Sequence, residues 1–185
     1  MSEYASPYAQ RPAPERFTTV VDGHTLRIER DLPGPIERVW SYLTTADGME
    51  RWIARCEIPS VVGAEFSWQW TGESGGRFDG RVRVFDPPHV LEYAWVETCA
   101  PSGAVRDSIV RFELRPRGDR VHLTLLHTAL PDTDEARTSF GTGWHAHVDV
   151  LEAVLSGIDG PDANARYDVL EPFYLERAAT PASSG

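Results

Sequence analysis

The stretch Gly80-Arg-Val-Arg-Val-Phe-Asp-Pro-Pro-His-Val-Leu-Glu-Tyr-Ala-Trp95 decides the fold. Val82 and Val84 alternate with Arg81 and Arg83, and Leu91, Tyr93 and Trp95 alternate with Glu92 and Ala94. A period of two is that of a strand with one buried face. Asp86-Pro87-Pro88 interrupts the run, because proline offers no backbone donor and suits a turn. Two strands joined by so short a connection run antiparallel.

The pattern extends both ways. Upstream, Phe66, Trp68 and Trp70 alternate with Glu65, Ser67 and Gln69, and Gly72 to Gly76 separates them from Phe78. Downstream, Pro101-Ser-Gly103 leads to Val110, Phe112 and Leu114, and Arg117-Gly-Asp119 leads to Val121, Leu123, Leu125 and His127. Five strands with one apolar and one charged face form a meander that covers something on one side only. The covering element follows. Beyond an N-cap region at Pro131-Asp-Thr-Asp134, Trp144, Val148, Leu151 and Leu155 form a helical stripe, with Asp149 and Glu152 off it. Gly157 and Gly160-Pro161 end that helix.

Ahead of the meander, Thr18 to Leu32 reads as a strand in which Asp22-Gly23 is a tight turn or a bulge. Pro33-Gly-Pro35 stops it. Ile36, Val39, Trp40 and Leu43 then predict an amphipathic helix, and Ala46 to Trp52 a second short one. Tyr167, Leu170, Phe173 and Tyr174 predict one more short helix near the end. The expected architecture is α+β: a helix-grip fold, with a curved antiparallel sheet of about six strands around a long C-terminal helix and two short helices after the first strand. Residues 1–16 are expected to be a disordered arm, 17–177 a single domain and 178–185 a disordered tail.

A chain of 185 residues with 41% hydrophobic content can bury a sizeable core as one domain. Its net charge of -10 repels nucleic acid and anionic membrane surfaces, so neither is an expected partner. No stretch approaches the ~20 apolar residues that span a bilayer, and Met1 to Glu15 lacks the apolar run of a signal peptide, which places the protein in the cytoplasm. Cys56 and Cys99 have no metal-ligand or CxxC spacing; they are compatible with one disulfide, and two buried free thiols are the commoner arrangement.

Several segments resemble the START/polyketide-cyclase-like (SRPBCC) superfamily, and within it the group named after the activator of the 90-kDa heat-shock chaperone ATPase. They are Arg30-Asp-Leu-Pro-Gly-Pro-Ile-Glu-Arg-Val-Trp-Ser-Tyr-Leu-Thr44 with Met49-Glu-Arg-Trp52, then Gly80 to Trp95, Val110-Arg-Phe-Glu-Leu114, Leu123-Thr-Leu-Leu-His-Thr-Ala-Leu130 and Gly143-Trp144. Together they cover about Leu26 to Tyr174, in the family's order. The resemblance implies a hydrophobic cavity between sheet and long helix, which different members use for lipids, polyketides, hormones or aromatic compounds. Homodimers are common among such proteins. Fold does not determine function, so a ligand has to be argued from the site.

The residues expected to line that cavity are Phe66, Trp68, Trp70, Tyr93, Trp95, Phe112 and His127 from the sheet, and Trp144, His147, Val148 and Leu151 from the helix. Large rings on a concave face either bind a small apolar or aromatic molecule or fill the core themselves. His127 is the candidate for acid–base work, with Tyr93 and Glu65 as the other polar groups a cyclase-type reaction could use, although a core histidine satisfied by a backbone or side-chain partner is the commoner arrangement. His145 and His147 diverge by about 200° on a helix and cannot clamp one metal together. No metal site, cofactor motif, GxSxG elbow or phosphate loop is read in the sequence. Arg77, Arg81, Arg83 and Arg111 fall on the outer face, as does Glu65. Three functions remain open: binding of a small hydrophobic or aromatic ligand, a cyclase- or hydrolase-type enzyme using the same cavity, and a co-chaperone-like interaction module.

Overall fold

Alternation in the sequence becomes a curved, unclosed antiparallel sheet of seven strands, one more than expected. The computed structural model describes residues 8, 12–20, 22–69, 77–99 and 104–179, and of residues 14, 69, 77, 97–99, 104–106 and 179 the backbone alone. The strands are β1 (Thr19–Val20), β2 (Leu26–Pro33), β3 (Glu65–Gln69), β4 (Arg77–Asp86), β5 (Val90–Cys99), β6 (Ala104–Arg117) and β7 (Arg120–Thr128). Their order is β1-β2-β7-β6-β5-β4-β3. The additional strand arises because Asp22-Gly23 is a turn: Gly23 has φ +84° and the Asp22 carboxylate accepts from the His24 amide at 3.0 Å. Aspartate and glycine suit such a turn because one bonds the local backbone and the other tolerates positive φ.

Register places the apolar rows on one face. Leu26 lies opposite His127, His127 opposite Val110, and Val110 opposite Tyr93. Strand β4 departs from the simple alternation. A bulge between Val82 and Val84 sets Phe85, not Val84, opposite buried Leu91, and the Phe85 ring meets Trp40 edge-on at 5.3 Å. One extra residue on a strand shifts the phase of everything after it. The outer face carries ion pairs: Arg83–Glu92 at 3.1 Å, Arg111–Glu113 at 2.8 Å, and Arg81 with Glu65. Exposed pairs of this kind contribute about 0–1 kcal/mol each. The Arg77 side chain lies outside the described residues.

Helices α1 (Ile36–Thr44) and α2 (Ala46–Glu50) follow β2 and close one end, with Trp52 Nε1–H donating to the Tyr42 carbonyl at 2.7 Å. Helix α3 (Asp134–Leu155) is started by Thr133, whose hydroxyl accepts from the Ala136 amide at 3.1 Å. Its length of about 33 Å lets it run along the concave face, where Trp144, Val148, Leu151 and Leu155 join the main core. Helix α4 (Ala163–Ala179) is longer than the short helix expected and contains Pro172.

Helix α4 covers the side of α3 that the sequence marked as polar. Asp149 is 0% exposed. Its carboxylate takes Arg16 at 2.8 Å, Arg166 at 2.8 Å and Arg30 at 3.6 Å, so strand β2, helix α4 and the segment before β1 converge on one anion. Burial opposes ionisation, yet Arg16 and Arg30 outweigh it and hold the carboxyl below the usual range. Arg16 also pairs with Glu152, and Arg166 donates to the Tyr8 carbonyl, so residues from the expected N-terminal arm contact the body. Removing one partner of a buried ionic group leaves the others uncompensated. Asp149→Ala is therefore expected to cost about 3–5 kcal/mol in urea unfolding. A loss under about 1 kcal/mol would show that the arginines rehydrate and the cluster contributes little.

Candidate functional site

Gly80 sits in the middle of β4, opposite both Phe66 and Trp95. A Cβ at this position would run into the Phe66 ring. Glycine in a strand interior marks such a close approach, and here it lets the ring lie flat on the concave face. From Phe66 a continuous set of ring contacts crosses the sheet. Phe66 stacks on Trp68 at 5.6 Å, Trp68 meets Trp95 edge-on at 5.1 Å, and Phe78 meets Trp95 at 4.7 Å. Trp95 then reaches Trp144 of α3 at 5.6 Å, and Phe112 reaches the same indole at 5.9 Å. Tyr93 lies against Phe66, Trp95 and Phe112. Offset and edge-on pairs contribute about 0.5–1.5 kcal/mol each beyond the area they bury.

His127 is the polar centre of this region and is 0% exposed. Trp144 Nε1–H donates to His127 Nδ1 at 2.8 Å. An indole can only donate, so Nδ1 accepts and the proton resides on Nε2. That Nε2–H donates to Ser108 Oγ at 2.8 Å, and Ser108 Oγ–H donates to the Trp95 carbonyl at 3.3 Å. Desolvation pushes the His127 pKa down to about 3, so the ring is neutral. In this tautomer Nε2 cannot take a proton from Ser108, and Nδ1 is already occupied. The Ser–His pair therefore does not have the polarity that activates a nucleophile. It ties β6, β7 and α3 together.

The other two helix histidines point to different neighbours. His145 Nδ1 accepts from the Tyr174 hydroxyl at 3.1 Å, whose oxygen accepts from the Thr18 amide at 3.0 Å, and its Nε2 faces Asp149 at 3.5 Å. Burial lowers its pKa to about 3. His147 Nδ1–H donates to the Trp52 carbonyl at 2.8 Å, fastening α3 to the end of α2. Burial lowers its pKa as well.

Among the residues expected to line the cavity, Trp68, Tyr93, Trp95, Phe112, His127, Trp144, His147, Val148 and Leu151 are buried, and Phe66 is half-buried. The rings from Phe66 to Trp144 and His127 come together, whereas His147 turns toward Trp52. Trp70 lies outside the described residues. Three contributors were not foreseen. Ser108 is in phase with Val110 and Phe112, so alternation alone marks it as an inward polar residue. Phe140 lies one turn before Trp144 and meets His127 at 4.8 Å. Phe78 alternates as part of a strand, and its contact with Trp95 depends on how β4 pairs with β5. Cys56 is a buried free thiol whose pKa burial raises to about 11; the Cys99 side chain lies outside the described residues.

Arg30 Nε, Thr138 Oγ1 and His145 Nε2 are buried without a hydrogen-bond partner among the described residues, and two further such donors lie within the ring set. Trp68 Nε1–H and Trp95 Nε1–H have no hydrogen-bond partner among the described residues. An open depression of about 700 Å³ lies against β3 to β6; Phe66 and Gly80 border it, and Glu65, Ser67, Asp79, Arg81, Val96 and Asp107 are on its walls. Most of these residues alternate outward, and their carboxylates make it a poor host for an apolar molecule. Among the described residues no group of three or more His, Cys, Asp or Glu is placed to hold a metal ion, and no helix is long and apolar enough to cross a membrane.

The fold places the chain in the helix-grip class. Residues 33–156 match the model of the family described as Activator of Hsp90 ATPase homolog 1-like protein. A protein of Bordetella parapertussis solved by NMR is 33% identical, with 86% of this chain and 88% of that one covered and a TM-score of 0.69. CalU16 from Micromonospora echinospora is 20% identical over 89% of this chain and 96% of its own, with a TM-score of 0.64. The Aha1 dimer from Colwellia psychrerythraea is 17% identical over 71% and 95%, with a TM-score of 0.60. The chain belongs to the Activator of Hsp90 ATPase homolog 1-like family. No curated protein matches it.

The buried histidines make stability depend on pH. The folded pKa values of His127 and His145 are lowered from 6.5 to about 3. Below pH 6.5 the unfolded chain takes up protons that the folded chain refuses, so stability is full above that value and is lost as pH falls toward 3. Each histidine is expected to contribute a slope of about 1.4 kcal/mol per pH unit in that window. Urea unfolding at pH 7, 6 and 5 measures it, and a flat profile would mean that the folded protein accommodates the charged rings.

Proposed function

We propose that the chain binds a compact, largely aromatic small molecule in the cytoplasm, at the end of the sheet–helix interior where rings from β3 to β6 meet Trp144. The observation that carries this reading is a graded exposure of rings. Phe66, Phe78 and Phe140 are half-buried at the rim, while Trp68, Trp95 and Trp144 behind them are buried. A flat apolar molecule entering at the rim exchanges ring–ring contacts for ring–ligand contacts of the same kind and removes the rim rings from water. Membership of the family is compatible with ligand binding.

Catalysis is the weaker alternative, because both nitrogens of His127 are held by Trp144 and Ser108. Self-association is a second proposal: the Colwellia relative is a dimer, and light scattering of the purified chain would distinguish one copy from two.

Titration with N-phenyl-1-naphthylamine, a neutral aromatic probe, tests the binding reading. A saturable, one-site fluorescence rise is expected, with unfolding stability increased by about 2.7 kcal/mol at one hundred times the dissociation constant. A linear, non-saturating rise with no stabilisation would mean that the aromatic end is simply a filled core.

A further inference from the structure

The four buried tryptophans among the described residues divide by what their N–H groups do. Trp52 donates to the Tyr42 carbonyl and Trp144 to His127. Trp68 and Trp95 are as deeply buried, at 5% and 6% exposure, yet neither indole N–H has an acceptor among the described residues. A buried donor left without an acceptor costs about 1–3 kcal/mol, and folded proteins carry few of them. Here two occur in rings 5.1 Å apart, on inward positions of β3 and β5 with β4 between them, inside the aromatic set already described.

We propose that Trp68 and Trp95 are the polar anchor of the site, and that the ligand is a neutral aromatic molecule whose carbonyl oxygen accepts from these indole N–H groups. The proposal rests on the binding reading above and adds the chemistry of the ligand to it. An indole N–H only donates, so the complementary group is an acceptor. The described ring neighbours of the two indoles are Phe66, Phe78, Tyr93, His127 and Trp144, none of them cationic. His127 is neutral, as the Trp144 donor requires. A carboxylate would enter without a counter-charge and lose its hydration, whereas a ketone, lactone or quinone oxygen loses far less. A carbonyl oxygen has two lone pairs and can accept two donors arriving from different directions. The site therefore selects an aromatic ketone over the hydrocarbon of the same shape.

Matched pairs separate the two readings: 1-tetralone with tetralin, 9-fluorenone with fluorene, and xanthone with xanthene. Each is titrated into the ¹⁵N-labelled full-length chain while the indole N–H cross-peaks are followed. The expected result is a three- to tenfold preference for the ketone, with downfield movement of the Trp68 and Trp95 indole protons beyond that caused by the hydrocarbon. Trp68→Phe and Trp95→Phe are expected to bring the preference within about twofold. Equal affinity for both members, with the two indole protons responding alike, overturns the anchor and leaves the binding reading standing. Absence of binding by every compound removes the binding reading and the anchor with it. The wild-type spectra decide the matter even if a variant fails to fold.

Discussion

Burial of α3 on both sides is the constraint around which the molecule is arranged. The sheet has one apolar face to hide, and α3 is the element long enough to run along it. A helix against a sheet still exposes its far side, so α4 and the segment before β1 are drawn over that side. The helix then carries apolar residues toward the sheet, through Trp144, Val148, Leu151 and Leu155, and polar ones toward α4, through His145 and Asp149. Burying the polar side is tolerated only because three arginines reach the one carboxylate.

Helical geometry explains how so short a stretch serves three neighbours. Each residue turns the helix by about 100°, so Trp144, His145 and His147 leave it in different directions. Trp144 meets His127 on the sheet, His145 meets Tyr174 on α4, and His147 meets Trp52 beyond α2. Each bond joins groups of low charge in a dry setting, where an ionised imidazole would be costly. These histidines act as neutral pegs, and for that reason their abundance on α3 does not signal a metal or an acid–base pair.

The aromatic end follows a different rule. Within the ring set the Trp144 indole finds an acceptor, whereas the two indoles of Trp68 and Trp95 behind the rim have none among the described residues. Ring–ring contact is non-directional enough to be exchanged for ligand contact at little cost, whereas an unmet N–H prefers one kind of partner. The first property supports the proposed binding of flat molecules, and the second supports the proposed preference for a carbonyl acceptor.

The sequence by itself determined the meander, the long C-terminal helix, the two short helices and the inward-facing Trp68, Trp95, His127 and Trp144, because each is written in a period of two or of 3.6. Ser108 was legible by the same alternation and was passed over because a single serine carries no periodic signal of its own. Tertiary structure alone decided the rest. The bulge that turns Phe85 inward depends on which residues of β4 and β5 pair. Asp149 falls off the apolar stripe, and its burial is not legible in the sequence because its partners Arg16, Arg30 and Arg166 are distant in the chain and meet only when α4 covers α3. The tautomer of His127 likewise depends on a tryptophan seventeen residues away. Periodicity reports which face of an element is buried; it is silent on what each buried polar group meets there.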